Sequence, residues 1–382
     1  MIDYVEVRDE NLDLLGIIDA FNSVIWNSVY YGVGDFEIYT SATDEAIQLL
    51  QPERYITRPG SEEVGIIESV NMSDSIESGL MIAAAGRFAK SMLDRRHIMK
   101  LSGSVNAPTI LRGNVEENIR QLVSDHAIAA TDTRRNIPIL QLGASAGTAQ
   151  IIVDSSGARS QKQVSYANLL SYTDSVLKEY RLGSTIKISS DGAKLEYIIF
   201  EGKDRSTDNA SGNDPILFSA EFDNLNSSEY AYDETAFKNS VLIGGAGEGL
   251  ERFYHFVTGG ETGLARRETW VDASGISRTY DDGAGEQQYT DDEYNAMLET
   301  EGLQALSAYT IAEEFSGTLD ITNGNFTLND DFSLGDIVTV QNTNIGKYMH
   351  VRIIKVTEVQ DENGYTVDIE YGSDNDNDET EV

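Results

Sequence analysis

The stretch Asn363-Gly364-Tyr365-Thr366-Val367-Asp368-Ile369-Glu370-Tyr371 reads as the returning strand of a β-hairpin. Tyr365, Val367, Ile369 and Tyr371 alternate with Thr366, Asp368 and Glu370, which buries one face and wets the other. Asn363-Gly364, a pair that accepts positive φ, turns the chain back onto residues 351–359. The chain therefore closes on a half-buried antiparallel sheet, and the same character recurs at its start. Short apolar stretches at residues 14–18, 36–39, 64–67 and 80–85 are separated by Gly, Pro, Asp and Ser. In Asp35-Phe36-Glu37-Ile38 the two apolar residues share a face, Gly32-Val33-Gly34 marks a turn, and residues 42–50 suit a short helix lying over the sheet.

Between these β-rich ends the period changes. Val115, Ile119, Leu122, Val123, His126 and Ala127 form a helical stripe, with Asn114 and Glu117 spaced as a capping pair. Tyr166, Leu169, Leu170, Thr173, Val176, Leu177 and Tyr180 form a second stripe that Gly183 is expected to end. Two strands, residues 185–189 and 195–200, then meet across Asp191-Gly192. The polar connection 204–214 marks a boundary, and residues 241–243, 252–257 and 267–271 suggest a meander with glycine-rich turns. Thr290 and Glu293 in capping-box spacing open a charged helix over 291–314, which Gly302 weakens in its middle, leaving one helix or two segments as the expectation. This gives an α+β, mostly β chain: a β-rich domain over 1–100, an α/β insert over 101–203, a second β-rich domain over 204–372 with a helical segment near 291–314, and an acidic, solvated tail over 373–382.

Length and composition exclude several classes. At 382 residues, two to four self-supporting domains are expected. Lys+Arg 28 against Asp+Glu 64 leaves a net charge of −36, the wrong sign for displacing counterions from nucleic acid or binding an anionic lipid surface. With no cysteine there are no disulfides, thiolate metal sites or Cys nucleophiles. No apolar run approaches the roughly 18 residues of a membrane span, and the opening residues lack a secretory leader's basic and apolar regions, so synthesis in a cytoplasm without membrane insertion is expected.

Motifs that could carry chemistry are weak. His97, His126, His255 and His350 are scattered, and His126 reads as a hydrogen-bonded core or boundary residue. Gly244-Gly245-Ala246-Gly247-Glu248-Gly249 lacks the spacing of a dinucleotide fingerprint and reads as a hairpin turn. Asp374-Asn375-Asp376-Asn377-Asp378 alternates like a calcium loop but lacks its central glycine and distal Glu. There is no Gly-x-Ser-x-Gly elbow, and among so many acids no carboxylate pair stands out. Arg95-Arg96-His97 and Arg266-Arg267 read as local neutralisation of neighbouring acids, or alternatively as a subunit interface. No catalytic, cofactor-binding or metal-binding residue is assigned, no cofactor is expected, and the chain is read as not an enzyme.

Several blocks resemble siphophage and prophage tail-hub proteins (baseplate hub, tail-associated protein N-terminal type). They are Leu14-Leu15-Gly16-Ile17-Ile18-Asp19, Ser23-Val24-Ile25-Trp26 and Tyr30-Tyr31-Gly32-Val33-Gly34-Asp35-Phe36-Glu37-Ile38. Val64-Gly65-Ile66-Ile67-Glu68, Ala85-Gly86-Arg87-Phe88 and Leu93-Asp94-Arg95-Arg96 follow in the family's order. Leu334-Gly335-Asp336-Ile337-Val338-Thr339-Val340, the strand around 351–358 and residues 365–372 resemble its closing β-rich domain. The resemblance implies two β-barrel-like hub domains flanking the insert, and a virion structural protein that forms a ring, usually a homotrimer, at the tail tip. The implied partners are further copies of the chain, the tail tube or distal tail protein and other tail-tip or fibre proteins, with DNA passing through unbound. Two alternatives stay open: a receptor- or glycan-binding baseplate protein, motivated by 19 tyrosines and two tryptophans, and a carboxylate-dependent cell-wall hydrolase.

Overall fold

The computed structural model describes residues 1–372 apart from 78, 103–104, 155–156, 282–284, 320–325 and 345. The acidic tail 373–382, with its calcium-like run, lies outside the described residues. The fold is mostly β. Its largest unit is a ten-stranded sheet, whose strands are numbered here β1 (Ser23–Val29), β2 (Asp35–Ser41), β3 (Ser69–Ser75), β4 (Gly79–Arg87), β5 (Leu217–Ser219), β6 (Leu225–Asp233), β7 (Ala312–Leu319), β8 (Ile337–Asn342), β9 (Lys347–Asp361) and β10 (Gly364–Gly372). The main order is β6-β7-β10-β9-β1-β2-β4-β3, with β8 paired to β9 and β5 to β8.

β9 is the spine. The expected hairpin forms: β9 and β10 pair with Asp361 opposite Gly364, so Glu362 and Asn363 make the loop and Gly364 takes φ +121°. On its other edge β9 changes partner part-way. Residues Lys347 to Arg352 pair with β8, and Lys355 to Asp361 pair with β1 from the other end of the chain. Pairing over 300 residues apart is slow to find but closes the fold into one unit.

The alternation seen in sequence explains the packing. Val24 and Trp26 of β1, Phe36 and Ile38 of β2, and Ile82 and Ala84 of β4 face Val5, Val7 and Ile56 of a separate four-stranded sheet. The helix α1 (Asp44–Leu49), capped by Thr43, adds Ala46 and Leu49 to this sandwich. At its centre the Trp26, Phe36 and Phe88 rings lie 4.8–6.5 Å apart. On the far side of the β1–β9 seam Phe218, Phe315, Phe332, Val338, Val351, Ile369 and Tyr371 form a second core. Among the described residues every sheet stays open and no barrel closes. The barrel-like expectation thus reduces to open layers, because β3 and β6 end the large sheet at opposite sides.

The insert packs α2 (Val115–Val123) and α3 (Leu169–Glu179) beside Gly183–Ile188 and Leu195–Phe200. Asn114 caps α2 through the Glu117 amide, and the Asp191-Gly192 turn forms with Gly192 at φ +75°. Three local expectations change. Tyr166 is exposed at φ +60°, so α3 begins only after Asn168, whose side chain accepts from Ser171 N at 3.0 Å. Arg181 at φ +58° ends α3, and Gly183 instead opens the next strand. The supposed meander has Ser240–Gly244 at its centre, antiparallel to Tyr254–Thr258 and parallel to Glu268–Asp272, because the connection 259–267 is long enough to cross back.

The helix α4 (Asp291–Leu306) has the expected capping box at Thr290 and Glu293, but it stops at Leu306, and Glu314 lies in β7. Gly302 does not divide it. A Cβ there would sit 2.6 Å from Ile243 Cδ1, so the missing side chain is what lets the helix seat on the three-stranded sheet. This sheet and α4 form their own small core, inserted between β6 and β7 where Asp233 and Ala312 face each other.

A buried ion pair ties the seam: Arg58 pairs with Glu358, Tyr365 donates its hydroxyl to the same carboxylate, and the guanidinium lies 5.2 Å from the Trp26 ring centre. Arg58→Met leaves Glu358 buried without its counterion and should cost about 3 kcal/mol or more in urea unfolding. Arg58→Met with Glu358→Leu should recover most of that loss.

Candidate interface and the junction behind it

Tyr30 is the point at which three distant stretches meet. Its side chain is 1% exposed, and its hydroxyl donates to Arg181 O at 2.9 Å, with Phe200 O at 3.4 Å. Gly202 N donates back to the hydroxyl at 3.4 Å. The ring occupies the space that side chains at Gly183 and Gly335 would need, a Cβ at Gly183 falling 2.5 Å from Tyr30 Cε2. Gly335 also holds φ +92°, which a larger residue resists. Arg352 lies 5.2 Å from the Tyr30 ring centre and donates to Gly335 O.

Beside it, the buried Asp336 accepts from Lys203 N at 2.7 Å, Ser333 N at 3.0 Å and Arg205 Nε at 3.0 Å. Two of the blocks that carry the sequence resemblance, around Tyr30 and around Gly335-Asp336, are thus in contact.

Other seams carry buried cations. Lys90 Nζ lies 3.0 Å from Asp174 and 3.2 Å from Ser184 Oγ. Lys162 Nζ lies 2.9 Å from Glu179 and 3.0 Å from Gln304 Oε1, joining the insert to α4. Burial raises the pKa of Glu179, opposed by Lys162. Between the N-terminal sheet and the insert lies a cleft of about 310 Å³ lined by Glu6, Arg8, Arg58, Glu63 and Lys187, among others. It is too charged for an ordinary apolar ligand pocket. Glu63 accepts from Thr185 Oγ1 at 2.8 Å, and burial pushes its pKa up to about 7 against the pull of that bond and of Lys90.

Among the described residues no three His, Asp or Glu side chains gather to hold a metal ion. His126 is buried on the turn that continues α2, its Nδ1 lacking the expected hydrogen-bond partner, and burial lowers its pKa. The glycine run 244–249 does connect two paired strands, as read from sequence. Arg95 is neutralised by Glu53 at 2.9 and 3.0 Å, Arg266 by Glu268 at 2.6 Å and Arg267 by Glu234 at 2.5 Å.

What the fold does present outward is strand edge. β3 and β6 end the ten-stranded order, and both are largely exposed along their length. Along the β3–β4 hairpin Met72, Ile76 and Leu80 are exposed too. Long edges of this kind are ready to meet another chain. Sequence reading did not single out these edges, because strand order across the fold is not a local property.

The sequence matches the family described as Siphovirus ReqiPepy6 Gp37-like protein over residues 4–373. The chain belongs to this family. No curated protein matches it. Its fold is similar to that of the tail protein from Neisseria meningitidis MC58, at TM-score 0.57 and 12% identity, covering 97% of this chain and 96% of that one. It is similar as well to the 43 kDa tail protein of prophage MuSo2 from Shewanella oneidensis, at 0.56 and 12%, covering 96% and 98%. Prophage tail protein gp18 from Listeria monocytogenes EGD-e follows at 0.51 and 12%, covering 98% and 95%. The family member described here therefore has the fold of phage and prophage tail proteins, as the resemblance implied.

Two outcomes test the junction and the cleft. Gly335→Ala drives a methyl group into Tyr30 at positive φ and should lower stability by about 3 kcal/mol, whereas Gly346→Ala, at φ +71° with open space, should cost only about 1 kcal/mol in the same unfolding assay. Glu63 favours its protonated form when folded, so its contribution is intact below pH 4.5 and is lost as pH rises through about 7. Glu63→Gln should therefore stabilise the protein at pH 8 by on the order of 2 kcal/mol and change little at pH 4, read from melting curves across pH.

Proposed function

We propose that the chain is a structural subunit of the tail-tip hub, closing into a ring, a homotrimer, that caps or extends the tail tube of the virion. The observation that carries this reading is the ten-stranded open sheet with an exposed edge strand at each side of its order. A head-to-tail contact that closes on itself satisfies two unlike edges at once. The sheet also has two comparable halves about the β1–β9 seam. Outward on one side run β1, β2, β4 and β3, and on the other β9, β10, β7 and β6, each half a run of antiparallel neighbours. Three such subunits offer six quasi-equivalent halves, a match for a sixfold tube.

In this reading residues 1–100 and 204–372 build the ring, and the insert 101–203 faces the distal tip. The tail tube or distal tail protein lies on one side and fibre or other tip proteins on the other. Three copies carry three times −36 in charge, and a negative wall repels passing DNA instead of holding it. No observation of the fold favours the carboxylate hydrolase.

Light scattering at high protein concentration should give three times 42.0 kDa, and cryo-electron microscopy should give an annulus. Met72→Asp with Leu80→Asp should leave a folded monomer with a melting midpoint close to that of the parent chain. A strictly monomeric parent chain even with tube protein present, or trimers unaffected by changes at either edge, would sink the reading.

A further inference from the structure

The three-stranded sheet of Ser240–Gly244, Tyr254–Thr258 and Glu268–Asp272 has two unlike faces. Val241, Ile243 and Val257 point inward and pack with Tyr294, Met297 and Leu298 of α4. On the outward face the register sets Leu242 between Phe256 and Trp270, and Gly244 between Tyr254 and Asp272. Tyr254, Phe256 and Trp270 are 52%, 40% and 47% exposed, although Trp26, the other tryptophan, is fully buried.

These rings are held in place. A side chain at Gly244 would collide with the Trp270 indole, so the indole lies across the strand where that side chain would stand. Arg252 sits 5.2 Å from the Trp270 ring centre, donating to Gly244 O at 3.0 Å, Gly245 O at 3.2 Å and Asp272 Oδ1 at 2.5 Å. Arg266 sits 4.8 Å from the Phe256 ring centre, donating to Glu268 Oε1 at 2.6 Å and Thr258 Oγ1 at 3.0 Å. The Tyr254 and Trp270 ring centres are 6.0 Å apart, inclined at 51°. The result is a shallow aromatic surface, 40–52% exposed at its three rings, on which two arginines, each paired with a carboxylate, lie over the Trp270 and Phe256 rings.

We propose that this face binds an uncharged saccharide chain. Size, charge and chemistry select that occupant. Five residues of strand and three strands span roughly 14 by 10 Å. That is a fraction of the about 800 Å² each partner contributes to a stable protein interface, and it suits a short oligosaccharide. Both guanidinium groups on the face are neutralised by a carboxylate of the same face, so a charged ligand gains no counterion there. The net charge of −36 further disfavours polyanions. A pyranose presents an apolar C–H face and a rim of hydroxyls. The aromatic rings take the first, and the Arg252–Asp272 and Arg266–Glu268 pairs, with Thr258, offer donors and acceptors to the second. The inference is independent of ring assembly, which uses other strands.

Trp270 supplies the probe, since the second tryptophan is shielded. The full chain is titrated with uncharged hexasaccharides of N-acetylglucosamine, of β-linked glucose and of α-linked glucose, and with polygalacturonate as the anionic comparator, by fluorescence and calorimetry. At least one neutral chain should shift the emission to the blue. Trp270→Ala and Tyr254→Ala should each weaken calorimetric binding about tenfold or more. Gly244→Ala, which keeps every aromatic residue but displaces the indole, should do the same, with circular dichroism and melting as in the parent.

Failure of every neutral chain to bind would overturn the proposal, as would preference for polygalacturonate or undiminished binding in both aromatic variants. Dissociation of a parent oligomer by Trp270→Ala would overturn it too, by assigning the face to a second copy. The edge variants Met72→Asp and Leu80→Asp should bind saccharide as the parent does, so loss of the ring and loss of this site are read separately.

Discussion

A buried phenol sets the geometry from which the rest follows. Left without a partner, the Tyr30 hydroxyl would cost about 1–3 kcal/mol, and its partners are backbone groups of the insert, at Arg181, Phe200 and Gly202. Serving that one O–H brings the ring against Gly183 and Gly335, so two positions far apart in sequence must lack a side chain. The insert, the opening strands and the closing hairpin are then fixed relative to one another by a contact that tolerates little change. Asp336, accepting from two backbone amides and Arg205, holds the adjoining turn in register with it.

The apolar cores fill the spaces between layers, one of them joining Leu12, Tyr55, Val64 and Ile66 to the insert, and several of the same seams also carry buried charge. Arg58 meets Glu358, Lys90 meets Asp174 and Lys162 meets Glu179 across such seams. Pairs of this kind add little net stability, because desolvation offsets most of their attraction. They penalise wrong packing strongly, however, since any displaced layer strands a charge in a dry place. Hydrophobic contact therefore drives the layers together, and the ion pairs specify how they sit.

Much of the secondary structure was legible because it is written in local periods. The hairpin at Gly364, the caps at Asn114 and Thr290 and the stripe of α2 all depend on residues within one or two turns of each other. Sequence misjudged the places where a distant contact overrides local preference. Gly302 looked like a helix breaker because Val241 and Ile243, which occupy its missing side chain's space, are some 60 positions away. Gly183 looked like a helix stop, and its actual reason is the Tyr30 ring. The parallel pairing of Glu268–Asp272 was invisible because pattern gives strand identity and not strand order. The exposed edges and the outward aromatic face were missed for the same reason: tyrosine and tryptophan were countable, but Trp26 and Trp270 could not be told apart until one was seen inside and one outside.

The excursion between β6 and β7 leaves the large sheet at Asp233 and re-enters at Ala312, two residues that stand opposite each other in the ladder. A loop whose ends already touch places almost no demand on the framework that carries it, whatever its length or content. The cassette that bears Trp270 can in consequence vary in its outer strands and turns while the β6–β7 ladder is kept, provided that α4 retains its bonds to Lys162 and Ser175 of the insert. Selection can act on the outer surface of such a protein at one pace and on its frame at another.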